Sequence, residues 1–193
     1  MNNAGDQMND KNFEKALSQT LKNEGVMNGK TGYVNDKNDN GGETNYGITK
    51  AKARECGYKG KMCDIPFNKV KEIYYKEYWE KTNASNMSNF NISFLLFDFA
   101  VNAGVKTACK KLQTAINKVS GSQLVIDGNI GQKTINAIEK YTDNRFFRFY
   151  VNKLEKTYIA EMLNYYTSLS KFNIFGKGWI NRVKNNIDFL AGV

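Results

Sequence analysis

A helical pattern runs directly into a long polar segment in KNFEKALSQTLKNEGVMNGKTGYVNDKNDNGGETNYGIT, residues 11–49. Residues spaced by four, four and three share one face of the predicted helix: Phe13, Leu17, Leu21 and Glu24. Asp10 is suited to cap the start of this helix. A carboxylate in the last turn opposes the helix dipole at a cost of about 0.3–1 kcal/mol, so Glu24 is a candidate for function. A partly exposed glutamate paired with a lysine explains the same position equally well.

The segment after Glu24 predicts a hairpin or an irregular small sheet. Its parts are the lead-in Tyr33 and Val34, an Asn-Asp-Asn-Gly-Gly turn at 38–42, and the alternating residues Thr44, Tyr46 and Ile48. Glycosidic bond cleavage needs an acid that protonates the leaving oxygen, and burial raises a carboxyl pKa to suit that task. A glutamate at the end of an apolar stripe fits this requirement when a polar hairpin beside it forms one wall of a sugar cleft.

The rest of the chain predicts helices, so the expected fold is mainly α with one small β feature. A short helix over 50–56 begins at the cap Thr49, and a helix over 68–81 follows Pro66. Five more helices are expected, at 90–103, at 105–119, around Ile135 and Ile138, at 143–168 and from Trp179 to Leu190.

Residues 90–103, FNISFLLFDFAVNA, are apolar on nearly every face, which marks a buried central helix. The two polar exceptions, Asp98 and Asn102, lie four residues apart on one side of it. We expect internal hydrogen bonds to satisfy both side chains, with a direct catalytic role as the alternative.

The chain contains no histidine. This excludes a Ser-His-Asp triad, a Cys-His nucleophile pair and a His-ligated catalytic zinc. A hydrolase built from this chain relies on carboxylates or on less common arrangements, and we expect no metal or other cofactor. The odd number of cysteines gives no closed disulfide framework. Cys56, Cys63 and Cys109 are therefore predicted to be free thiols, with a Cys56–Cys63 bridge as the alternative.

The formal net charge of +9 is unevenly distributed. Residues 1–104 carry 14 basic and 13 acidic side chains, whereas residues 105–193 carry 14 basic and 6 acidic ones. The second half is thus drawn to a polyanion, which can be nucleic acid, anionic lipid or a wall polymer, unless it is only a solvated basic surface. No apolar run reaches the roughly 18 residues of a transmembrane segment, and the N-terminus lacks a secretory signal, so we expect synthesis in the cytoplasm.

Several motifs resemble glycoside hydrolase family 108. The first set comprises Glu24-Gly25, Gly32-Tyr33-Val34-Asn35-Asp36 and Gly41-Gly42-Glu43-Thr44-Asn45-Tyr46-Gly47-Ile48-Thr49. A second block is Phe97-Asp98-Phe99-Ala100-Val101-Asn102-Ala103-Gly104. The peptidoglycan-binding region usually joined to that family is resembled by Asp127-Gly128-Asn129-Ile130-Gly131 with Thr134, and by Gly178-Trp179-Ile180-Asn181-Arg182-Val183. Each piece alone is weak, but all occur in family order from about residue 12 to 190.

The resemblance implies a lysozyme-like helical fold with one small β-hairpin after the first helix. It also implies an N-acetylmuramidase that cleaves the β-1,4 glycan backbone of bacterial peptidoglycan, with Glu24 as the general acid. The catalytic region is expected at 12–103 and a helical peptidoglycan-binding region at 104–193, packed as one globular unit that acts as a monomer.

Two departures from the family pattern leave the other catalytic groups open. Residues 26–31, VMNGKT, separate Glu24 from the Gly-Tyr that follows it in the family, and we expect them to form an exposed flap. The usual proline before Gly-Gly is also missing. Asp36 and Asp39 therefore compete as the second carboxylate, with Thr44 a candidate to hold a nucleophilic water. Retaining or inverting chemistry depends on the carboxylate separation.

Substrate contacts are expected from polar and aromatic residues of these motifs: Tyr33, Asn45, Tyr46, Asn102 and Trp179. For Trp179, packing in the core is an alternative to stacking on sugars. Without a signal peptide, a phage endolysin released after membrane permeabilisation fits, as does a bacterial lytic protein exported by another route. The competing functions are a lytic transglycosylase on the same substrate and a non-enzymatic helical protein that binds nucleic acid. The second leaves Glu24 and its polar loop unexplained, so we expect no nucleic-acid partner.

Overall fold

The computed structural model describes residues 10–26, 30–35, 42–142 and 148–192. They form a mainly helical fold with one small hairpin after the first helix, which confirms the predicted fold class. The chain divides into two compact units, Met1–Glu77 and Tyr78–Val193. Among the described helices, none combines the length and the apolar character needed to cross a membrane.

The unit boundary differs from the expected functional boundary. The motifs suggested a division at residues 103 and 104, but the helix over 90–103 lies within the second compact unit. The reason is that this buried helix packs most extensively on the helix that follows it. A catalytic region at 12–103 and a single globular packing of the chain stay predictions.

The first unit begins with a helix whose cap follows the sequence prediction. Its regular elements are α1 (Lys11–Asn23), β1 (Thr44–Asn45), β2 (Ile48–Thr49), α2 (Lys50–Glu55) and α3 (Phe67–Tyr74). The Asp10 carboxylate accepts a hydrogen bond from the amide of Asn12 at 2.8 Å, and Thr49 Oγ1 accepts one from Lys52 at 3.2 Å. Both predicted caps are confirmed. The helix expected to reach residue 81 instead continues from α3 as a π-helical turn, Tyr75–Trp79.

The hairpin contains a tighter turn than the sequence pattern predicted. Thr44 pairs with Thr49 and Asn45 with Ile48, so the chain reverses at Tyr46 and Gly47. Both turn residues have positive φ, +51° and +72°, as a two-residue turn of this kind requires. Ile48 therefore lies on the return strand, and the predicted alternation from Thr44 to Ile48 along one strand is wrong. An isolated antiparallel bridge joins Val34 to Thr44.

The apolar stripe of α1 forms the centre of the first unit's core. Phe13, Leu17 and Leu21 are buried, and the ring of Phe13 packs edge-on against Tyr75 with centroids 5.0 Å apart. The inner face of α3 is buried as well, through Val70, Ile73 and Tyr74. Burial of one face of α1 is what its apolar periodicity predicted.

All regular structure in the described part of the second unit is helical. Its helices are α4 (Phe90–Ala103), α5 (Val105–Ser120), α6 (Gln132–Thr142), α7 (Arg148–Thr167) and α8 (Phe172–Ala191). The predicted central position of α4 is confirmed, because an unbroken run from Ile92 to Ala100 is buried. The predicted helix at 143–168 is described only from Arg148 onwards.

A buried ion pair joins α4 to α8. The guanidinium of Arg182 contacts both carboxylate oxygens of Asp98, at 2.9 and 2.8 Å, and the Asn186 amide donates to the same carboxylate at 2.6 Å. Asp98 is thus satisfied internally, as predicted. Asn102 is exposed at the end of α4, so the expectation that it is satisfied internally is wrong.

The loop LVIDGNIG is held by one side chain of α5. Gln113 donates to the Asp127 carboxylate and to Asn129 O, at 2.9 and 3.0 Å, and it accepts a hydrogen bond from the Gly128 amide at 2.9 Å. A β-carbon at Gly128 would lie 3.0 Å from Lys106 O, so this glycine permits a close approach of the loop to the helix.

The three cysteines are free thiols in the structure, as predicted, and they differ in exposure. Cys63 is exposed, Cys56 is half-buried and Cys109 is buried in α5. Burial raises the pKa of the Cys109 thiol to about 12 and also raises the pKa of Cys56. Because the thiolate is the reactive form, the three side chains should react at very different rates.

We expect a thiol reagent at pH 8 to modify Cys63 first, Cys56 more slowly and Cys109 only after unfolding. Mass spectrometry of peptides at increasing reaction times measures the order, and the same reaction in denaturant provides the fully reactive control. Fast labelling of Cys109 in the folded protein would contradict the buried position of α5.

We expect Asp98→Asn to lower the free energy of unfolding by about 3 kcal/mol, because it leaves a buried guanidinium without its counter-charge. Urea denaturation measures the loss. Glu55→Gln is the matched control, since it neutralises the exposed Lys52–Glu55 pair and should cost less than about 0.5 kcal/mol. Equal losses in the two variants would show that the buried pair does not hold the helices together.

Candidate active site around Glu24

The end of α1 places Glu24 by a defined helix stop. Gly25 has a φ of +78°, and its amide bonds to Lys22 O at 3.0 Å. The amide of Val26 bonds back to Leu21 O at 2.9 Å, which completes a Schellman motif. Glu24 is consequently the C-cap residue, with φ −83° and ψ 8°, and its half-buried side chain lies just past the last helical turn.

The side chain of Glu24 packs against the backbone of the hairpin turn. A β-carbon at Gly47 would lie 2.9 Å from Glu24 Cγ, from Glu24 Oε2 and from Tyr74 Oη. Such contacts are shorter than a real β-carbon makes, so a side chain at position 47 would displace the carboxylate or the Tyr74 hydroxyl. Three separated parts of the first unit therefore converge on one point, which is the end of α1, the hairpin turn and the end of α3.

Tyr74 holds the hairpin turn in this position. Its hydroxyl donates a hydrogen bond to Tyr46 O at 2.8 Å, while its ring is buried in the core. The ring of Tyr46 is half-buried and packs against Phe67, with centroids 5.8 Å apart. Tyr46 therefore keeps part of its side chain accessible, and it directly precedes Gly47, whose backbone approaches Glu24.

Tyr33 belongs to a small polar network on the surface. Its hydroxyl donates to the Glu43 carboxylate at 3.0 Å, and Glu43 pairs with the ammonium of Lys50 at 3.0 Å. The hydrogen bond to Glu43 raises the pKa of Tyr33, and the bond from Lys50 lowers the pKa of Glu43. The Tyr33 hydroxyl is thus already engaged, whereas its ring is 41% exposed and remains available for a sugar contact.

The expected site residues of β1 have different surroundings. Thr44 is half-buried, and its hydroxyl donates to Gly42 O at 3.4 Å. Asn45 is fully buried and donates from Nδ2 to Met62 O at 2.7 Å, so its expected direct contact with substrate is wrong. Its Oδ1 has no hydrogen-bond partner among the described residues. Both candidates for the second carboxylate, Asp36 and Asp39, lie outside the described residues.

Two expected substrate-binding residues belong to the second unit. Asn102 is exposed on α4. Trp179 is half-buried on α8, where its ring stacks on Tyr166 with centroids 5.5 Å apart and an interplanar angle of 16°. One face of Trp179 is therefore occupied by packing, which was the alternative to stacking on sugars, and only part of the ring remains accessible.

The segment predicted to be an exposed flap, residues 26–31, is partly integrated into the first unit. Val26 is half-buried, forms the helix stop with Leu21, and lines an apolar groove of about 330 Å³ together with Phe67. Lys30 is exposed, as predicted, and residues 27–29 lie outside the described residues. The prediction of a free flap is thus wrong for Val26, because its amide and its side chain close the end of α1.

The polar role of Tyr74 was not predicted from the sequence. A tyrosine within an apolar stripe usually finds a partner for its hydroxyl when it is buried, and this was the available signal.

Within the described residues, no group of three or more Cys, Asp and Glu side chains is placed to hold a metal ion.

Comparisons with known proteins bear on this site. Residues 17–104 match the family model described as Glycosyl hydrolase 108. The chain is also similar to the solved structure of Brucella abortus SagA, with 28% sequence identity and a TM-score of 0.72, over 93% of this chain and 94% of that chain. A comparison with curated proteins gives no match.

The matched range contains Glu24, both strands of the hairpin and Tyr74. It thus includes the described residues whose contacts with the carboxylate are given above, Gly47 and Tyr74 among them. By this match, the chain is a glycoside hydrolase.

Proposed function

We propose that this glycoside hydrolase is an N-acetylmuramidase that hydrolyses the β-1,4 glycan backbone of bacterial peptidoglycan, with Glu24 as its general acid. The observation that carries the proposal is the convergence of the Glu24 carboxylate, the Gly47 backbone and the Tyr74 hydroxyl at the end of α1. The glycosyl hydrolase 108 match over residues 17–104 supports it, because these three residues all lie within that range.

The reaction requires one proton transfer at Glu24. The protonated carboxyl gives its proton to the glycosidic oxygen as the bond from that oxygen to the anomeric carbon breaks. A water adds to the anomeric carbon, and its proton leaves to a base. The apolar stripe of α1 excludes water from one side of Glu24, while the hairpin turn holds its carboxylate in a fixed position.

The base or nucleophile is assigned to the loop between Val34 and Thr44. Asp36 and Asp39 both belong to this loop, and the bridge between its two ends fixes where the loop begins and returns. Thr44 is the candidate that holds a nucleophilic water instead. The separation between the second carboxylate and Glu24 sets the stereochemistry, because inverting enzymes need room for a water between the two groups.

The second half of the chain is proposed to bind the wall and the first half to cut it. The excess of basic over acidic side chains after residue 104 supports this division, since peptidoglycan is anionic through its peptide carboxylates. We propose further that the protein acts as a monomeric endolysin on the wall after release from the cytoplasm. A lytic transglycosylase is the alternative, and its anhydro product is lighter than the hydrolysis product by one water.

Glu24→Gln is expected to keep the fold, because the amide has the shape of the carboxylate. It should lower the turnover of purified peptidoglycan by at least about 10²–10⁴-fold, the usual loss when general acid catalysis is removed. Clearing of a peptidoglycan suspension measures the rate, and the masses of the released fragments distinguish hydrolysis from transglycosylation.

Glu55→Gln is the control for this experiment, since it removes an exposed carboxylate of the same unit. It should leave the clearing rate unchanged. Near-normal clearing by a folded Glu24→Gln protein would exclude Glu24 as the acid.

Gly47→Ala is expected to lower kcat by about 10²-fold, because a misplacement of about 1 Å at a catalytic group can cost that much. The added methyl group displaces the Glu24 carboxylate or the Tyr74 hydroxyl. Gly42→Ala is the matched control, since Gly42 has a similar φ of +66° but no atom within 4 Å of the added carbon. Equal losses of kcat in the two variants would attribute the effect to backbone strain and not to the contact with Glu24.

A further inference from the structure

A second concave surface lies between α5 and α7, within the second unit. We call it the lysine groove. It has a volume of about 370 Å³ and is lined by Lys118, Lys153, Lys156, Thr157, Ala160, Glu161 and Asn164. Its size falls within the range of roughly 300–1,000 Å³ that is usual for small-ligand sites. The α7 residues recur at helical spacing, so one face of that helix forms a wall of the groove.

One carboxylate organises the lysines that α5 contributes. Glu161 is buried and pairs with Lys118 at 2.6 Å and with Lys111 at 3.2 Å. Burial raises the pKa of Glu161, but the ammonium groups of Lys118 and Lys111 outweigh burial, so the pKa lies below its ordinary value. The ionised Glu161 therefore holds Lys118 in place, and the Lys118 side chain remains 58% exposed.

The lysines of α7 have no such compensation. Lys153 and Lys156 are exposed, and in the described part of the chain neither forms an ion pair. They are three residues apart on one helical face, where like charges repel and destabilise the helix. Three lysines and one glutamate thus line the groove, and the glutamate is already paired with Lys118 and Lys111, so the groove keeps positive charge for an external anion.

The side chains of the groove favour phosphate as that anion. Lysine binds phosphate as a point charge from any direction, whereas planar bidentate recognition of carboxylates favours arginine, and none of the described lining residues is an arginine. The Thr157 hydroxyl and the Asn164 amide add hydrogen-bond donors. None of the described lining residues is aromatic, so they offer no stacking platform of the kind with which proteins bind the bases of single-stranded nucleic acid.

We propose that the lysine groove binds a polyol phosphate polymer of the bacterial wall, with Lys118, Lys153 and Lys156 contacting its phosphodiester groups. This inference rests on the proposed function, which brings the protein to the wall. The groove belongs to the second unit, so it retains the enzyme on the wall through contacts other than those made at Glu24.

The test measures binding of the full-length protein to purified walls, in the Glu24→Gln background so that the walls are not cut. Lys153→Gln with Lys156→Gln is compared with the matched pair Lys133→Gln with Lys184→Gln. The second pair removes two exposed lysines of the same unit outside the groove, so both variants lose the same charge. Each protein is tested on walls that carry the phosphate polymer and on walls from which acid has removed it, at 0.1 M salt.

We expect the groove variant to bind polymer-bearing walls about tenfold more weakly than its background, and the matched pair to lose less than about threefold. On polymer-free walls the two variants should bind alike. Equal losses in both pairs would overturn the proposal in favour of diffuse charge. A groove-specific loss on polymer-free walls would assign the site to peptide carboxylates, and tighter binding to single-stranded DNA than to free polyol phosphate would assign it to nucleic acid. Failure of the proposed function would appear separately, as walls left intact by the wild-type protein.

Discussion

The packing of Glu24 against Gly47 is the contact on which the rest of the candidate site depends. Gly47 completes a two-residue turn at a φ of +72°, which glycine adopts without strain. The missing side chain also leaves the space beside the Glu24 carboxylate. One glycine thus satisfies two requirements, the reversal between β1 and β2 and the close approach of a helix end. The Tyr74 hydroxyl holds the turn through its hydrogen bond to Tyr46 O. Because the ring of Tyr74 is packed in the core, the packing of α3 determines the position of the turn beside the Glu24 carboxylate.

In the second unit, the ion pair between Asp98 and Arg182 constrains how α4 and α8 pack together. Hydrophobic burial alone gives α4 little rotational preference, because nearly all of its faces are apolar. The single buried carboxylate of Asp98 removes that freedom, since it must face Arg182 and Asn186 on α8. The pair adds little net stability when compared with apolar residues, but it penalises every other orientation of the helix. We infer that it specifies the arrangement of α4 and α8 more than it strengthens it.

The sequence predicted those features that depend on neighbours along the chain. The caps Asp10 and Thr49, the helix that ends beside Glu24, and the burial of α4 all follow from spacing and residue type. The features that depend on distant residues could not be obtained in this way. The role of Tyr74 depends on a carbonyl 28 residues away, and the burial of Asn45 depends on Met62 O. The turn at Tyr46-Gly47 was missed because Asn-Gly-rich residues 38–42 resemble a turn more strongly, and the turn predicted there stays a prediction, since residues 38–41 lie outside the described part of the chain.

The positive charge of the second half is another feature that the sequence predicts only in part. The composition gives an excess of positive charge but does not say where the charged side chains lie on the surface. Attraction between charges is screened beyond about 10 Å at 0.1 M salt. What acts at that salt concentration is the local arrangement of charges. Glu161 forms ion pairs with Lys111 and Lys118 and fixes their positions. The positive charges of Lys153 and Lys156, on the adjoining face of α7, have no such ion pair within the described part of the chain. A protein that is merely basic is attracted to every anionic surface in any orientation. A groove of lysines instead presents its charges on one face, so it can orient the protein on a polyanion after the general attraction has been screened.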